Sequence, residues 1–148
     1  MRKWSAWLLR SIALSLLLSF ASPAWAAKIP SDNEQEILIR TTLMTFNDAN
    51  MTGNYSVLFA KASPQFQSQL SAEQLATAFK TYREKEVNIE SIVADEIASS
   101  DDATIDKEGV LHLVGAFKDD EKKVKFNLKF VQHKGAWKLL GINVRYRE

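Results

Sequence analysis

The chain has no cysteine, three prolines, five glycines and two histidines among its 148 residues. Each shortage removes a class of protein. Without thiols there is neither a disulfide framework nor a thiolate metal site, so packing alone must hold the fold together. The histidines, His112 and His133, lack the His-x-x-x-His spacing of a zinc site and lie on different elements, so neither a metal nor another cofactor is expected. The glycines are scattered rather than gathered into a phosphate-cradling loop, and no serine sits in a nucleophile elbow. An excess of one charge is lacking too. With 19 basic and 18 acidic residues the formal charge is +1, which argues against nucleic acid as a partner, since it favours a strongly basic face. No apolar run reaches the roughly 20 residues needed to cross a bilayer.

What is present begins with an address. Arg2, Lys3 and Arg10 open a stretch whose apolar core runs over residues 12–21 and which closes on Ala24-Trp25-Ala26, the small-x-small pattern of a signal peptidase site. Ser11, Ser15, Ser19 and Ser22 dilute the run, and Pro23 breaks any helix ahead of the cleavage motif, which favours removal over a retained membrane anchor. Residues 1–26 are therefore expected to be a cleaved signal peptide and the protein periplasmic or secreted, without stable membrane insertion. Cleavage removes three basic residues and no acidic one, so the formal charge falls from +1 to −2. Residues 27–148 make one ordinary domain, large enough to bury a single core.

The first half of that domain reads as helical. Ser31 and Glu34 form a capping box after Pro30, and Ile39, Leu43, Phe46 and Asn50 recur at steps of three or four, predicting a helix over 31–50. Thr52-Gly53-Asn54 ends it. Asn54 is placed to cap a short helix carrying Tyr55, Leu58, Phe59 and Ala62, and Ser63-Pro64 restarts the chain as an N-cap followed by proline. Ser71 and Gln74 repeat the capping-box spacing ahead of Leu75, Phe79 and Tyr82.

From Glu86 the period changes to two. Val87, Ile89, Val93 and Ile97 alternate with polar residues and predict a first strand, followed by strands over 109–118, 123–132 and 136–147, with turns at Asp119-Asp120-Glu121 and His133-Lys134-Gly135. In the third of these four, Val124, Phe126, Leu128 and Phe130 alternate with Lys123, Lys125, Asn127 and Lys129, giving one core face and one wet face. In the strand before it, Leu111, Leu113 and Phe117 alternate with Val110, His112, Val114 and Ala116, so both faces are apolar. The last strand carries Trp137 and Leu139 on one side and Leu140, Ile142, Val144 and Tyr146 on the other, with a bulge at Gly141 able to re-aim them. The expected fold is α+β: N-terminal helices packed on a curved four-stranded antiparallel sheet. A sheet apolar on both faces wants a cover, and a second copy docked on Val110, His112 and Val114 is the expected one, making a homodimer.

The order of elements, the paired helices around Phe46 to Phe59 with their Gly53-Asn54 turn, and the closing Gly135-Ala136-Trp137-Lys138-Leu139 resemble the nuclear transport factor 2 superfamily. Within it the chain is most similar to small exported bacterial proteins of unknown role, through Ser71-Ala72-Glu73-Gln74-Leu75, Gly109-Val110-Leu111 and the run from Gly135 to Val144. The resemblance implies a cone between helices and sheet. It leaves function open, because that fold hosts isomerases, dehydratases, hydrolases and transport adaptors alike. Its enzymes carry an Asp base with a Tyr donor, or an Asp-Arg-Asp set, inside the cone. This chain has Asn54 where many enzymatic relatives have Asp, and Arg40 and Asp48 stand two helical turns apart.

The residue-level expectations follow from that frame. The aromatic residues Tyr55, Phe59, Phe79, Tyr82, Phe117 and Phe126, with Trp137, read first as core and second as the lining of a site for a small apolar ligand, rimmed by the hydroxyls of Tyr55 and Tyr82. No catalytic residue is assigned, and a non-catalytic binding or interaction domain is expected. The alternatives are a pocket enzyme of isomerase or hydratase type, using Asp48 or His112, and a carrier of a lipid-like molecule. The acidic clusters Asp101-Asp102 with Asp106 and Glu108, and Asp119-Asp120-Glu121, lack calcium-loop spacing and read as solvated connections. His133 reads as an exposed turn residue, Lys123, Lys125 and Lys129 as a solubilising stripe, and the sequon at Asn54-Tyr55-Ser56 as a helix cap.

Overall fold

The computed structural model describes residues 27–118 and 123–147. The expected signal peptide and the Asp119-Asp120-Glu121 turn lie outside the described residues. Five helices come first: α1 (Asp32–Thr52), α2 (Ser56–Lys61), α3 (Pro64–Gln69), α4 (Ala72–Ala78) and α5 (Lys80–Glu84), then a 3₁₀ turn at Glu90–Val93. The strands follow as β1 (Ile97–Ser100), β2 (Thr104–Ile105), β3 (Leu111–Phe117), β4 (Lys123–His133) and β5 (Ala136–Arg147). All pairings are antiparallel in the order β1-β3-β4-β5, with β2 also on β3. The fold is α+β, helices followed by an antiparallel sheet. No described helix is long and apolar enough to cross a membrane.

The helix boundaries have local causes. Ser31 accepts the Glu34 N–H while Glu34 accepts the Ser31 N–H at 2.8 Å, closing the capping box of α1, and Gly53 ends that helix at φ 73°, a conformation that favours glycine. Ser71 and Gln74 close the same box on α4, and Ser63 caps α3 ahead of Pro64. The cap of α2 is shared: Tyr55 holds the N-cap position, and the Asn54 side chain accepts the Ser56 N–H at 3.0 Å.

Two strand expectations need correction. The period-two run from Val87 does not form a strand. Val87 and Ile89 are buried, but the segment between them is held by α1 instead of by a neighbouring strand: Asn47 accepts the Ile89 N–H at 2.9 Å and donates to Asn88 Oδ1 at 3.2 Å. With the Val87 N–H bonded to the Tyr82 carbonyl and the Ile89 N–H to a helix side chain, the chain turns through Glu90–Val93, burying Ile92 and leaving Val93 59% exposed. Strand pairing starts only at Ile97. The sheet also has five strands and not four, because the outer edge of β3 is shared end to end: β1 pairs with residues 115–117 and β2 with 111–112.

The last strand resolves through its bulge. Lys129 faces Gly141 and Phe130 faces Leu139, so Leu140 is the extra residue and the parity of β5 flips across it. Leu139 and Val144, on opposite sides by simple alternation, are both buried, and Trp137, Ile142 and Tyr146 pack against the same core. The bulge expected at Gly141 is present one residue earlier, at Leu140, and it turns both halves of the apolar set of β5 to one face, so β5 is not apolar on both faces. The β4–β5 hairpin closes on Lys134 (φ 51°) and Gly135 (φ 78°), the paired positive φ of a two-residue turn matched to strand twist. His133 is the last residue of β4 and is half-buried opposite Ala136, not an exposed turn residue.

One face of the sheet meets the helices. Leu111, Leu113, Phe117, Val124, Phe126, Leu128 and Phe130 pack against Leu43, Phe46, Tyr55, Leu58, Phe66 and Leu75 in a single buried cluster. The free edge of β5 is covered from the helical side: the Ser63 N–H donates to the Leu139 carbonyl at 2.8 Å, and the Tyr82 hydroxyl donates to the Val144 carbonyl.

Candidate functional site

The six aromatic residues expected to line a ligand site do not gather around one cavity among the described residues. Tyr55, Phe117 and Phe126 are buried in the core, while Phe59, Phe79 and Tyr82 pack half-buried against it. Phe79 lies parallel to Tyr55 at 6.1 Å and edge-on to Phe46 at 4.8 Å, and Phe117 meets Phe126 at 5.6 Å. The two hydroxyls expected at a pocket rim are committed elsewhere. Tyr55 donates to Asn50 Oδ1 and accepts from Arg83 Nη1 at 3.3 Å, while Tyr82 donates to the Val144 carbonyl. Burial pushes the Tyr55 phenol above its ordinary pKa, partly offset by Arg83, and burial does the same to Tyr82, partly offset by Arg145.

Tyr82 does line a hollow of about 540 Å³ at the junction of α5 and β5, together with Thr81, Lys85, Val87 and Tyr146. Its other four lining residues were not candidates from sequence. Nothing in a linear pattern brings the 81–87 segment against the far end of β5.

The ionisable candidates for catalysis also have definite places. Asp48 is exposed on α1. Arg40 does not turn to it: the guanidinium pairs with Glu36 at 2.7 Å, donates to the Ile92 carbonyl and to the Asp95 carbonyl at 2.9 Å, and lies 5.4 Å over the Phe117 ring. Arg40 is thus a clamp between α1 and the 3₁₀ turn. His112 sits on the sheet face away from the helices, outside the aromatic interior.

That outer face is the most differentiated surface of the molecule. Along β3 it carries His112, Val114 and Ala116, with Val110 just before the strand, all half-buried. The imidazole Nε2 of His112 is 2.8 Å from Asp106 Oδ2, and Asp106 Oδ1 accepts the Val110 N–H at 2.9 Å and the Glu108 N–H at 3.0 Å. Asp106, read from sequence as one of a solvated acidic cluster, instead organises the β2–β3 turn. The His112 hydrogen bond, then the Val110 N–H, hold its carboxyl below the usual aspartate pKa.

Toward β4 and β5 the same face turns basic. Lys125 and Lys129 on β4 and Arg145 and Arg147 on β5 are exposed, with Lys138 half-buried. The register sets Lys125 directly opposite Arg145, Asn127 opposite Asn143, and Lys129 opposite both His112 and Gly141. Of the lysine stripe expected from sequence, Lys125 and Lys129 are on this face; the side chain of Lys123 is outside the described residues. The arginines were missed because simple alternation, without the Leu140 bulge, does not tie their face to that of the lysines. Among the described residues no group of three or more His, Asp or Glu is arranged to hold a metal ion.

Comparison with models of known families, with curated proteins and with solved structures finds no match to this chain.

Proposed function

We propose that this chain is an exported, non-catalytic binding domain of the nuclear transport factor 2-like cone type, which self-associates through the outer face of β3. The observation that carries this reading is the half-buried row Val110, His112 and Val114 on the side of the sheet opposite the helices. The apolar members of that row gain by removal from water, and a symmetric partner offers them the same row in return. Sedimentation equilibrium at tens of micromolar is expected to return a dimer, and Val114→Glu a folded monomer whose melting no longer depends on protein concentration. A wild-type monomer would overturn the self-association.

The non-catalytic part of the reading draws on the interior. Both tyrosine hydroxyls there are engaged by protein groups, Asp48 is exposed, and His112 faces away from the helices. Export rests on Arg2, Lys3 and Arg10, the apolar run and Ala24-Trp25-Ala26. N-terminal sequencing of the protein taken from the cell envelope is expected to begin at Ala27.

A second reading, a carrier of a small apolar molecule, is favoured by the hollow of about 540 Å³ beside Tyr82, Val87 and Tyr146. Native mass spectrometry of protein purified from its own envelope separates the two, since a carrier retains a ligand mass that the self-associating domain lacks.

A further inference from the structure

Two like charges stand face to face on the outer surface of the sheet. Lys125 and Arg145 are direct cross-strand partners on β4 and β5, a spacing of roughly 5 Å between Cβ atoms at which like charges destabilise a sheet. None of the ion pairs among the described residues involves either of them. Such a juxtaposition is relieved when something of opposite sign sits between the two. The adjoining surface is shaped to receive it. A hollow of about 260 Å³ opens over the next row of the register, lined by Val114, Asn127 and Asn143 with Lys125 and Arg145 as its cationic wall. A second hollow, of about 450 Å³, lies on the other side of the same two cations, lined also by Tyr82, Tyr146 and Arg147. The pair is therefore the shared wall of two concavities.

The donor set defines the ligand. Arg145 offers a planar fork suited to two oxygens of one anion, Lys125 a point charge, and Asn127 and Asn143 amide N–H donors flanking them; among the described residues no carboxylate lines either hollow. The rings of Tyr82 and Tyr146 give an apolar wall to whatever the anion is attached to. We infer that Lys125, Asn127, Asn143 and Arg145 form a binding site for a phosphate-type oxyanion carried on a partly apolar molecule. The site rests on reading the outer sheet face as the binding face of this protein, and it adds to that reading the chemistry of the ligand. A phosphate of this kind is offered either by a small soluble phosphate ester or by a phospholipid headgroup.

The test follows the side-chain amide signals of Asn127 and Asn143 by NMR in the purified protein, titrating inorganic phosphate against sodium chloride at matched ionic strength. A second arm measures co-sedimentation with phosphatidylcholine vesicles with and without phosphatidic acid. Both amides are expected to shift with phosphate and not with chloride. Arg145→Gln and Lys125→Gln should each weaken the response about tenfold, the loss of one charge-assisted hydrogen bond, while Lys107→Gln leaves it unchanged. Vesicle binding that needs phosphatidic acid and is lost in the same two variants assigns the site to a headgroup; a phosphate response without vesicle binding assigns it to a soluble ester. Amides unmoved by phosphate and vesicles alike, or a response undiminished in Arg145→Gln, overturn the site. If that happens while the protein sediments as a dimer, the oxyanion site falls and the self-association stands. A monomer whose amides still respond to phosphate keeps the oxyanion site and removes the self-association.

Discussion

The two faces of the sheet are made by the same strands, residue by alternate residue, yet they are governed by different physics. On the inner face Leu113, Phe126, Leu128 and Phe130 are closed over by helices, and Asn47 and Tyr55 enter with their polar groups paired, Asn47 with Ile89 and Asn88, Tyr55 with Asn50. On the outer face Val114 and Ala116 border Lys125 and Arg145, half in water, with a like-charge pair left standing opposite each other. Burial makes the inner face intolerant of unpaired polarity and tolerant of little else. Water makes the outer face tolerant of charge, and so free to be shaped for a partner.

That contrast predicts a gradient of mutational cost. Phe46→Ala, in the buried aromatic cluster, should lower stability by about 3–5 kcal/mol in a chemical denaturation series, the range for large aromatic deletions from a core. Asn47→Leu should cost about 1–3 kcal/mol by the same measurement, because the Ile89 N–H loses its acceptor inside the protein. Trp137→Ala should fall near about 2 kcal/mol, below the buried aromatics, since its ring packs half-buried at the margin of the core. Lys125→Gln should lie within about 0.5 kcal/mol of wild type, and on the stabilising side, because it removes the repulsion with Arg145. A destabilised Lys125→Gln would mean that the outer face is not the permissive one.

The smallest effect sits at Asp106, beside His112 on the outer face. Folding lowers the Asp106 pKa, so its contribution is present above the unfolded aspartate value and is lost as pH falls through the lowered folded value. An NMR titration of the Asp106 carboxyl should give a midpoint below that of an ordinary aspartate, and His112→Ala should move it back up. A midpoint unmoved by His112→Ala would place the cause with the Val110 and Glu108 N–H groups instead.

Much of the fold was legible because its signals are local. The capping boxes Ser31–Glu34 and Ser71–Gln74, the Ser63-Pro64 start and the alternation of Val124 to Phe130 each act within a few residues, and each is realised where the pattern sets it. The missing first strand shows one cause. Val87 and Ile89 have the spacing of a strand, but the Val87 N–H goes to the Tyr82 carbonyl and the Ile89 N–H to a side chain 42 positions earlier, and no period in the sequence announces that Asn47 will reach it. The candidate site was legible only in part, since Val110, His112, Val114, Lys125 and Lys129 stand on clean alternations. Arg145 and Asn143 belong to the same surface only because one residue, Leu140, is left over in the pairing of β4 with β5.

By itself the sequence determined the class of this protein: thiol-free, nearly neutral, helices first and antiparallel strands after, with one strand apolar on both sides. Those properties follow from composition and from periods of two and 3.6, which are properties of neighbours along the chain. The tertiary structure alone decided which face of β5 is buried, that Arg145 stands against Lys125, and that Tyr55 and Tyr82 commit their hydroxyls to Asn50 and Val144. Each of these depends on register or on a long-range partner, and register is an outcome of packing many residues at once, so no short stretch of sequence contains it.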